Sequence, residues 1–303
     1  MIRFDDGKFL TLDIAGEQIN VHYYELGEKG RDSVVFVQTG GAATSAFMCW
    51  YLNLEPFAAA SYHVLAPDSV GFGLTERVSA GGEKGGLSPT KFLLAFMDRM
   101  GIQQAHFVGN SAGAMTITRL AIEHPERVKS LILTGGEPRI ESDESRAIAK
   151  TLGRTERMNF VREMLSKLQV SFEDIRKATA DFFYDPGHPR IDEVAEMRLR
   201  TISRPGVLAQ EREHAFKQVE RGRSNLESSD LAKIQVPVYL IHGRDESFFY
   251  SKEVAPALLE CAIKASLVIP NCSCTVLAHC GHWPQIEKAD LFNAHCLEFL
   301  KTV

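Results

Sequence analysis

The stretch Ala105-His106-Phe107-Val108-Gly109-Asn110-Ser111-Ala112-Gly113 constrains this chain more than any other. A short apolar run reaches a serine held between two glycines, and a helical pattern follows, with Ala114, Ile117, Leu120 and Ala121 on one face until Pro125. This is the pattern of a nucleophile elbow. In such a turn a strand passes sharply into a helix, the serine sits at a strained apex, and small neighbours let other backbone pass close by. The turn lifts the Ser111 hydroxyl clear of the sheet. It also sets the Ala112 N–H among the unsatisfied donors of a helix start, where a developing oxyanion is stabilised. The bland alternative is an ordinary strand-to-helix turn, with the same local shape and no chemistry.

The rest of the chain supplies a setting for that turn. Residues 10–25 alternate apolar and polar around Gly16, which predicts an antiparallel hairpin. Residues 33–37 form an apolar run that ends at Gln38-Thr39-Gly40-Gly41, a central strand entering a glycine loop. In proteins with a nucleophile elbow this loop gives the second oxyanion N–H, so Gly40 and Gly41 are candidates. A further strand is expected within 61–68, and a flexible glycine-rich surface loop over 79–87. Ser88 and Pro89 open a helix that Gly101 closes, and residues 128–133 form the next strand. Strand and helix thus alternate, as in a mostly parallel sheet covered on both faces.

Between about 140 and 230 the strand-like runs stop. Charged helical segments take their place at 155–168, 171–183, 191–203 and 207–222, with Arg204-Pro205-Gly206 separating the last two. The sheet pattern then returns at 236–241, followed by a helix over 251–264, a last strand at 274–277 in competition with Leu267-Val268-Ile269, and a terminal helix over 289–300. The expected organisation is a core made of 1–139 and 231–303, with 140–230 inserted after the sixth strand as a helical cap.

Composition narrows the partners. A net charge of -5 gives no electrostatic reason to expect nucleic acid or an anionic membrane surface. No window approaches the roughly 18 apolar residues of a membrane span, and Met1-Ile2-Arg3-Phe4-Asp5-Asp6 lacks the features of a signal peptide, so a cytoplasmic protein acting on a small molecule is expected. The six cysteines are too sparse and irregular for a disulfide framework. Cys272, Cys274, Cys280 and His282 lack the usual metal-ligand spacing, and no metal is expected.

A serine hydroxyl needs a base near neutral pH, and the base needs an acceptor that fixes its tautomer. Taken in the order serine, acid, histidine, the chain offers Ser111, an acid after the strand ending near His242, and His282 after the last strand. His106 and His242 lie in buried strands and read as core residues. For the acid, Asp245 and Glu246 are adjacent and point to different sides, so one of the two should face His282. Glu137, after an earlier strand, is a third candidate.

With these pieces in place the chain resembles the α/β-hydrolase fold superfamily, and within it the meta-cleavage product hydrolases of bacterial aromatic degradation. The residues that carry the resemblance are Ala66-Pro67-Asp68-Ser69-Val70-Gly71-Phe72-Gly73, Val108-Gly109-Asn110-Ser111, Gly243-Arg244-Asp245-Glu246 and Cys280-Gly281-His282-Trp283. In the cap, Glu196-Met197-Arg198-Leu199-Arg200 and Arg204-Pro205-Gly206 add to it. The resemblance implies that Arg198 contacts a substrate carboxylate, a task suited to a planar guanidinium. It also places Trp283, Asn110 and Cys49 at substrate-binding positions. Three departures stand out: Gln38 and Thr39 replace a histidine and a glycine of the family's oxyanion loop, Cys49 replaces an asparagine, and the family's aspartate register falls on Glu246.

The implied activity is hydrolysis of a carbon-carbon bond in a vinylogous diketo acid produced by aromatic ring cleavage, without cofactor, in a homodimer. An esterase or lactonase acting on a small apolar substrate would use the same groups without the carboxylate clamp. A ligand-binding protein that kept the fold and lost turnover is the reading from another class.

Overall fold

The computed structural model describes residues 2–14, 16–76, 88–136, 155–218, 226–247 and 252–303. Its centre is an eight-stranded sheet in the order β1-β2-β4-β3-β5-β6-β7-β8. The strands are β1 (Lys8–Ile14), β2 (Glu17–Leu26), β3 (Ser33–Val37), β4 (His63–Pro67), β5 (Ala105–Asn110), β6 (Val128–Thr134), β7 (Val238–Gly243) and β8 (Cys272–Leu277). β2 runs antiparallel to both β1 and β4, and the pairs from β4 through β8 are parallel. The hairpin expected around Gly16 forms with Ile14 opposite Glu17, and its alternation buries Leu12, Ile14, Ile19 and Val21.

The central strands β3, β4, β5 and β7 are buried along their whole length, which explains why they read as continuous apolar runs rather than as alternation. Each face of the sheet has its own core. On one, Val34 and Phe36 meet Trp50, Phe57, Trp283 and Phe292. On the other, Val35 and Val37 meet Phe92, Phe96, Ile117 and Leu120. The helices that bring these residues are α1 (Ala46–Trp50), α2 (Leu54–Ala59), α3 (Pro89–Met100) and α4 (Ala112–Glu123), then, near the end of the chain, α10 (Ala255–Val268), α11 (Pro284–Glu287) and α12 (Ala289–Leu300). Ser88 precedes α3 in extended backbone, its hydroxyl on the Thr90 side chain, and Gly101 ends the helix in the left-handed conformation.

Between β6 and β7 lie only helices among the described residues: α5 (Thr155–Ser166), α6 (Phe172–Ala180), α7 (Arg190–Ile202), α8 (Val207–Gln218) and the short α9 (Ser228–Leu231). The cap after the sixth strand has a small core of its own, built from Met164, Leu165, Ile175, Ala178, Ala195, Ile202 and Val207. One residue of that core comes from elsewhere: Ala43, from the loop after β3. The last strand forms over Cys272–Leu277, in keeping with the expected 274–277 and not with the competing run at 267–269. Leu267 and Val268 end α10 instead of forming a strand, because Leu258, Cys261, Ala262 and Ala265 bury a helical face that carries the helix past 264. The glycine-rich stretch 79–87, the start of the cap at 140 and the end of the helix expected to reach 222 lie outside the described residues.

Candidate active site

β5 delivers Ser111 at its C-terminal end, with φ 55° and ψ -116°, backbone angles that a non-glycine residue takes only when its surroundings hold it there. The restraint is visible. The Ser111 N–H donates to Thr134 O at 2.9 Å, and a β-carbon added to Gly136 would stand 2.2 Å from Ser111 Cα. A β-carbon on Gly113 would stand 2.2 Å from Val37 O, so the start of α4 presses against the end of β3. The sharp turn therefore depends on small residues on both sides of the serine.

His282 lies in the loop after β8 and is buried. Its Nδ1 is 3.0 Å from Glu246 Oε1, and the carboxylate side chain is fully enclosed. A carboxylate in that position needs a charged or hydrogen-bonding partner, and the imidazole is one. Asp245, the neighbouring acid candidate, turns the other way: its Oδ2 accepts the His279 N–H at 2.8 Å and lies 3.4 Å from Arg244. The tight turn after β7 separates the two side chains, with Asp245 N–H on Cys280 O and Glu246 N–H on Gly243 O. Glu137 lies outside the described residues. His242, read from the sequence as a core histidine, is fully buried and also belongs to this cluster, its Nδ1 3.7 Å from Glu246 Oε2.

Asn110 joins the serine turn to the histidine loop. Its Nδ2 donates to Thr134 O at 3.2 Å and to His282 O at 3.3 Å, so one side chain adjoining Ser111 links β5, β6 and the residue carrying the imidazole. On the far side of the serine, a β-carbon at Gly40 would lie 3.0 Å from Ala112 Cβ, so the residues Gly40 and Ala112 adjoin. Gly41 follows at φ 114°, open only to glycine. Of the residues that depart from the family pattern, Gln38 is buried with its Oε1 on the Ser69 N–H at 3.2 Å. Thr39 is buried beside it, its hydroxyl on Gly40 O.

Above the strand ends, α7 brings Arg198 inward, 3% exposed. Its Nη1 donates to Thr179 Oγ1 at 2.8 Å and its Nη2 to Ala42 O at 3.0 Å, while Nε has no hydrogen-bond partner among the described residues. Burial lowers its pKa to about 10, against the opposing pull of Glu211 and Asp181, so the guanidinium is still a cation at neutral pH. Arg198 also stands 5.6 Å from the centre of the Phe182 ring. That ring stacks on Trp283 at 3.9 Å and lies 5.6 Å from the His282 ring. Trp283 is fully buried, with an indole N–H that finds no acceptor among the described residues. Cys49 is enclosed too. Gln285 Nε2 approaches its sulfur at 3.5 Å, and burial pushes the thiol up to about 12, so it stays protonated.

Several residues of this region escaped the sequence reading. Phe182 O accepts the His282 N–H at 2.8 Å. Glu287 accepts the Gly281 N–H at 2.8 Å and the Tyr184 N–H at 2.9 Å, holding the histidine loop to the segment after α6. Glu211, on α8, accepts the Ala43 N–H at 3.2 Å. Nothing local marks these carboxylates in the sequence, since their partners are backbone groups of distant segments. Among the described residues no group of three or more His, Cys, Asp or Glu side chains is placed to hold a metal ion, and the six cysteines are unbridged. No helix of the described residues is long and apolar enough to cross a membrane.

Comparison with known proteins agrees with the fold. A family model described as alpha/beta hydrolase fold matches residues 32–289. A 2-hydroxy-6-oxo-6-phenylhexa-2,4-dienoate hydrolase of Comamonas testosteroni is 31% identical over 291 residues, covering 93% of this chain and 91% of the relative. A 2-hydroxy-6-oxononadienedioate/2-hydroxy-6-oxononatrienedioate hydrolase of Paraburkholderia phymatum is 28% identical, with 97% and 95% covered. The solved meta-cleavage product hydrolase of Pseudomonas fluorescens IP01 superposes with a TM-score of 0.76 at 26% identity, over 97% of each chain.

Proposed function

Since the chain belongs to the α/β-hydrolase fold family, we propose that it is a serine-dependent hydrolase of a carbon-carbon bond in a 2-hydroxy-6-oxo-dienoate, the vinylogous diketo acid left by ring cleavage of an aromatic compound. The observation that carries the choice of substrate is Arg198: a buried cation with an unpartnered donor on the inner side of the cap is matched by an anionic substrate group.

In this reading the dienol first ketonises. The Ser111 oxygen, or a water activated by His282, then adds to the carbonyl carbon, and the imidazole takes the proton. Glu246 holds the Nδ1–H tautomer and offsets the charge of the imidazolium. The amides of Ala112 and of Gly40 or Gly41 receive the oxyanion. When the tetrahedral centre collapses, the carbon-carbon bond breaks, its electron pair is delocalised into the vinylogous carbonyl, and the resulting dienolate leaves as the dienol after taking the proton from His282. Where serine has attacked, a water deprotonated by His282 then cleaves the acyl-enzyme ester, releasing the acid and restoring the Ser111 hydroxyl; where water has attacked, the collapse itself gives the acid. Arg198 holds the carboxylate end, and the stacked pair Phe182 and Trp283 lies against the conjugated chain.

The test is to compare kcat/KM for a phenyl- or alkyl-substituted 2-hydroxy-6-oxo-dienoate, followed by loss of the dienolate absorbance, with that for p-nitrophenyl esters. The dienoate is expected to lead by at least about tenfold, the value of one charge-assisted contact. Preference for the ester, or no dienoate turnover, overturns the substrate assignment. A cap that acts as a lid over 140–230, a homodimer and a cytoplasmic location complete the proposal; light scattering on the purified protein checks the second.

A further inference from the structure

The loop expected to hold the oxyanion is gripped from above. The peptide group joining Ala42 to Ala43 has its carbonyl oxygen on Arg198 Nη2 at 3.0 Å and its N–H on Glu211 Oε1 at 3.2 Å. Both polar ends of one peptide unit are thus held by side chains of opposite charge, one from α7 and one from α8. Both side chains are buried, and so is Ala43, which stands at φ 60° and packs into the core of the cap. Alanine avoids that backbone region unless its neighbours enforce it. The other side of the loop is fixed from within, where the Thr44 hydroxyl meets Thr39 O at 3.2 Å and Gly41 O at 3.0 Å.

From this geometry we propose that Glu211 is a positioning residue for the oxyanion hole, which it serves by holding the Ala43 amide and so setting the backbone of Gly40 and Gly41. The inference rests on the reading of Gly40 and Gly41 as oxyanion donors. It adds a residue of the cap that acts through the loop and does not touch the substrate. It also gives Arg198 a second duty, because the carbonyl of the same peptide is one of its partners.

Reach and charge separate the possibilities. Glu211→Gln keeps an acceptor oxygen at the same distance and loses the charge. Glu211→Asp keeps the charge and falls a methylene short. With a neutral p-nitrophenyl ester as substrate, so that the carboxylate clamp plays no part, rates are normalised to the burst of acylated enzyme. Glu211→Asp is expected to lower kcat about 10- to 100-fold with KM within about twofold, since an imperfect oxyanion site weakens the transition state and not the ground state. Glu211→Gln is expected to retain the larger share of kcat. Amide exchange of the segment 38–45 should quicken in Glu211→Asp, and affinity for an arylboronic acid should fall in parallel with kcat. If Glu211→Asp keeps the wild-type kcat, or if Glu211→Gln does no better than Glu211→Asp, the proposal is overturned. Ser111→Ala in the same assay reports on the parent reading. An active Ser111→Ala removes that reading, whereas an inactive one beside an unaffected Glu211→Asp removes the present proposal alone.

Discussion

The strand ends and the cap hold their polar groups by different means. Ser111 and His282 stand on backbone fixed largely by other backbone: Ser111 N–H on Thr134 O, His282 N–H on Phe182 O, and glycines at 113 and 136 that admit neighbouring chain. Arg198 and Glu211 stand on helices, and their hold on the site runs through long side chains to the loop after β3. Backbone geometry is set by the fold and tolerates many side-chain changes nearby. A side-chain reach of several bonds is lost with one substitution. On the proposed function, the strand ends carry the chemistry and the cap carries the choice of substrate.

The largest expected effect belongs to the strand ends. Glu246→Gln should lower kcat by about 10³- to 10⁴-fold on dienoate and ester alike, because the wrong imidazole tautomer defeats the base whatever the substrate. Asp245→Asn should stay within a few-fold of wild type, its acceptor for the His279 N–H being preserved. Equal losses from the two variants, measured as kcat under saturation, would break the division between them. A smaller and more selective effect is expected in the cap. Arg198→Ala should lower kcat/KM for the dienoate by about 10- to 100-fold, the value of a hydrogen bond to a charged group, beyond whatever it costs the neutral ester. A common factor for both substrates would remove the carboxylate clamp and leave only the grip on Ala42.

The smallest effect tests the seam between the regions. Burial pushes the Glu287 carboxyl up to about 7 from an ordinary value of 4.5, even though the Tyr184 and Gly281 amides favour its ionised form. A raised acid binds more protons folded than unfolded between those values. Its contribution to stability is therefore complete below about pH 4.5 and is lost as pH rises through about 7. The melting temperature of wild type relative to Glu287→Gln should accordingly be higher at pH 5 than at pH 8. A difference that does not move with pH would show that the clasp between the histidine loop and the cap does not titrate in this range.

What was legible in the sequence follows the same division. The elbow, the order of strands and helices, and His282 all leave local signals: a glycine spacing, an apolar period, a histidine just past the last strand. The acid stayed open among Asp245, Glu246 and Glu137, since the turn after β7 decides which of the first two faces inward, and a turn of two residues has no periodicity to read. Arg198 was visible only through resemblance. Glu211 left no mark at all, because its partner Ala43 is 168 residues away and offers an amide, the one group every residue but proline shares. Leu267-Val268-Ile269 competed for the last strand because a short apolar run at the end of a helix looks like a strand when its buried face is not yet known, and the strand chosen at 274–277 is the one that forms.

The hydrogen bond from His282 N–H to Phe182 O has an implication for anyone trimming this protein. The imidazole hangs in part from the roof, and the floor alone does not place it. Excising the insertion to obtain a minimal scaffold would leave an intact sheet with Ser111 still presented at its rim, yet His282 would have lost one of its moorings. Any redesign that grafts a foreign roof onto this floor must therefore reproduce a carbonyl at that spot before it alters the walls of the pocket.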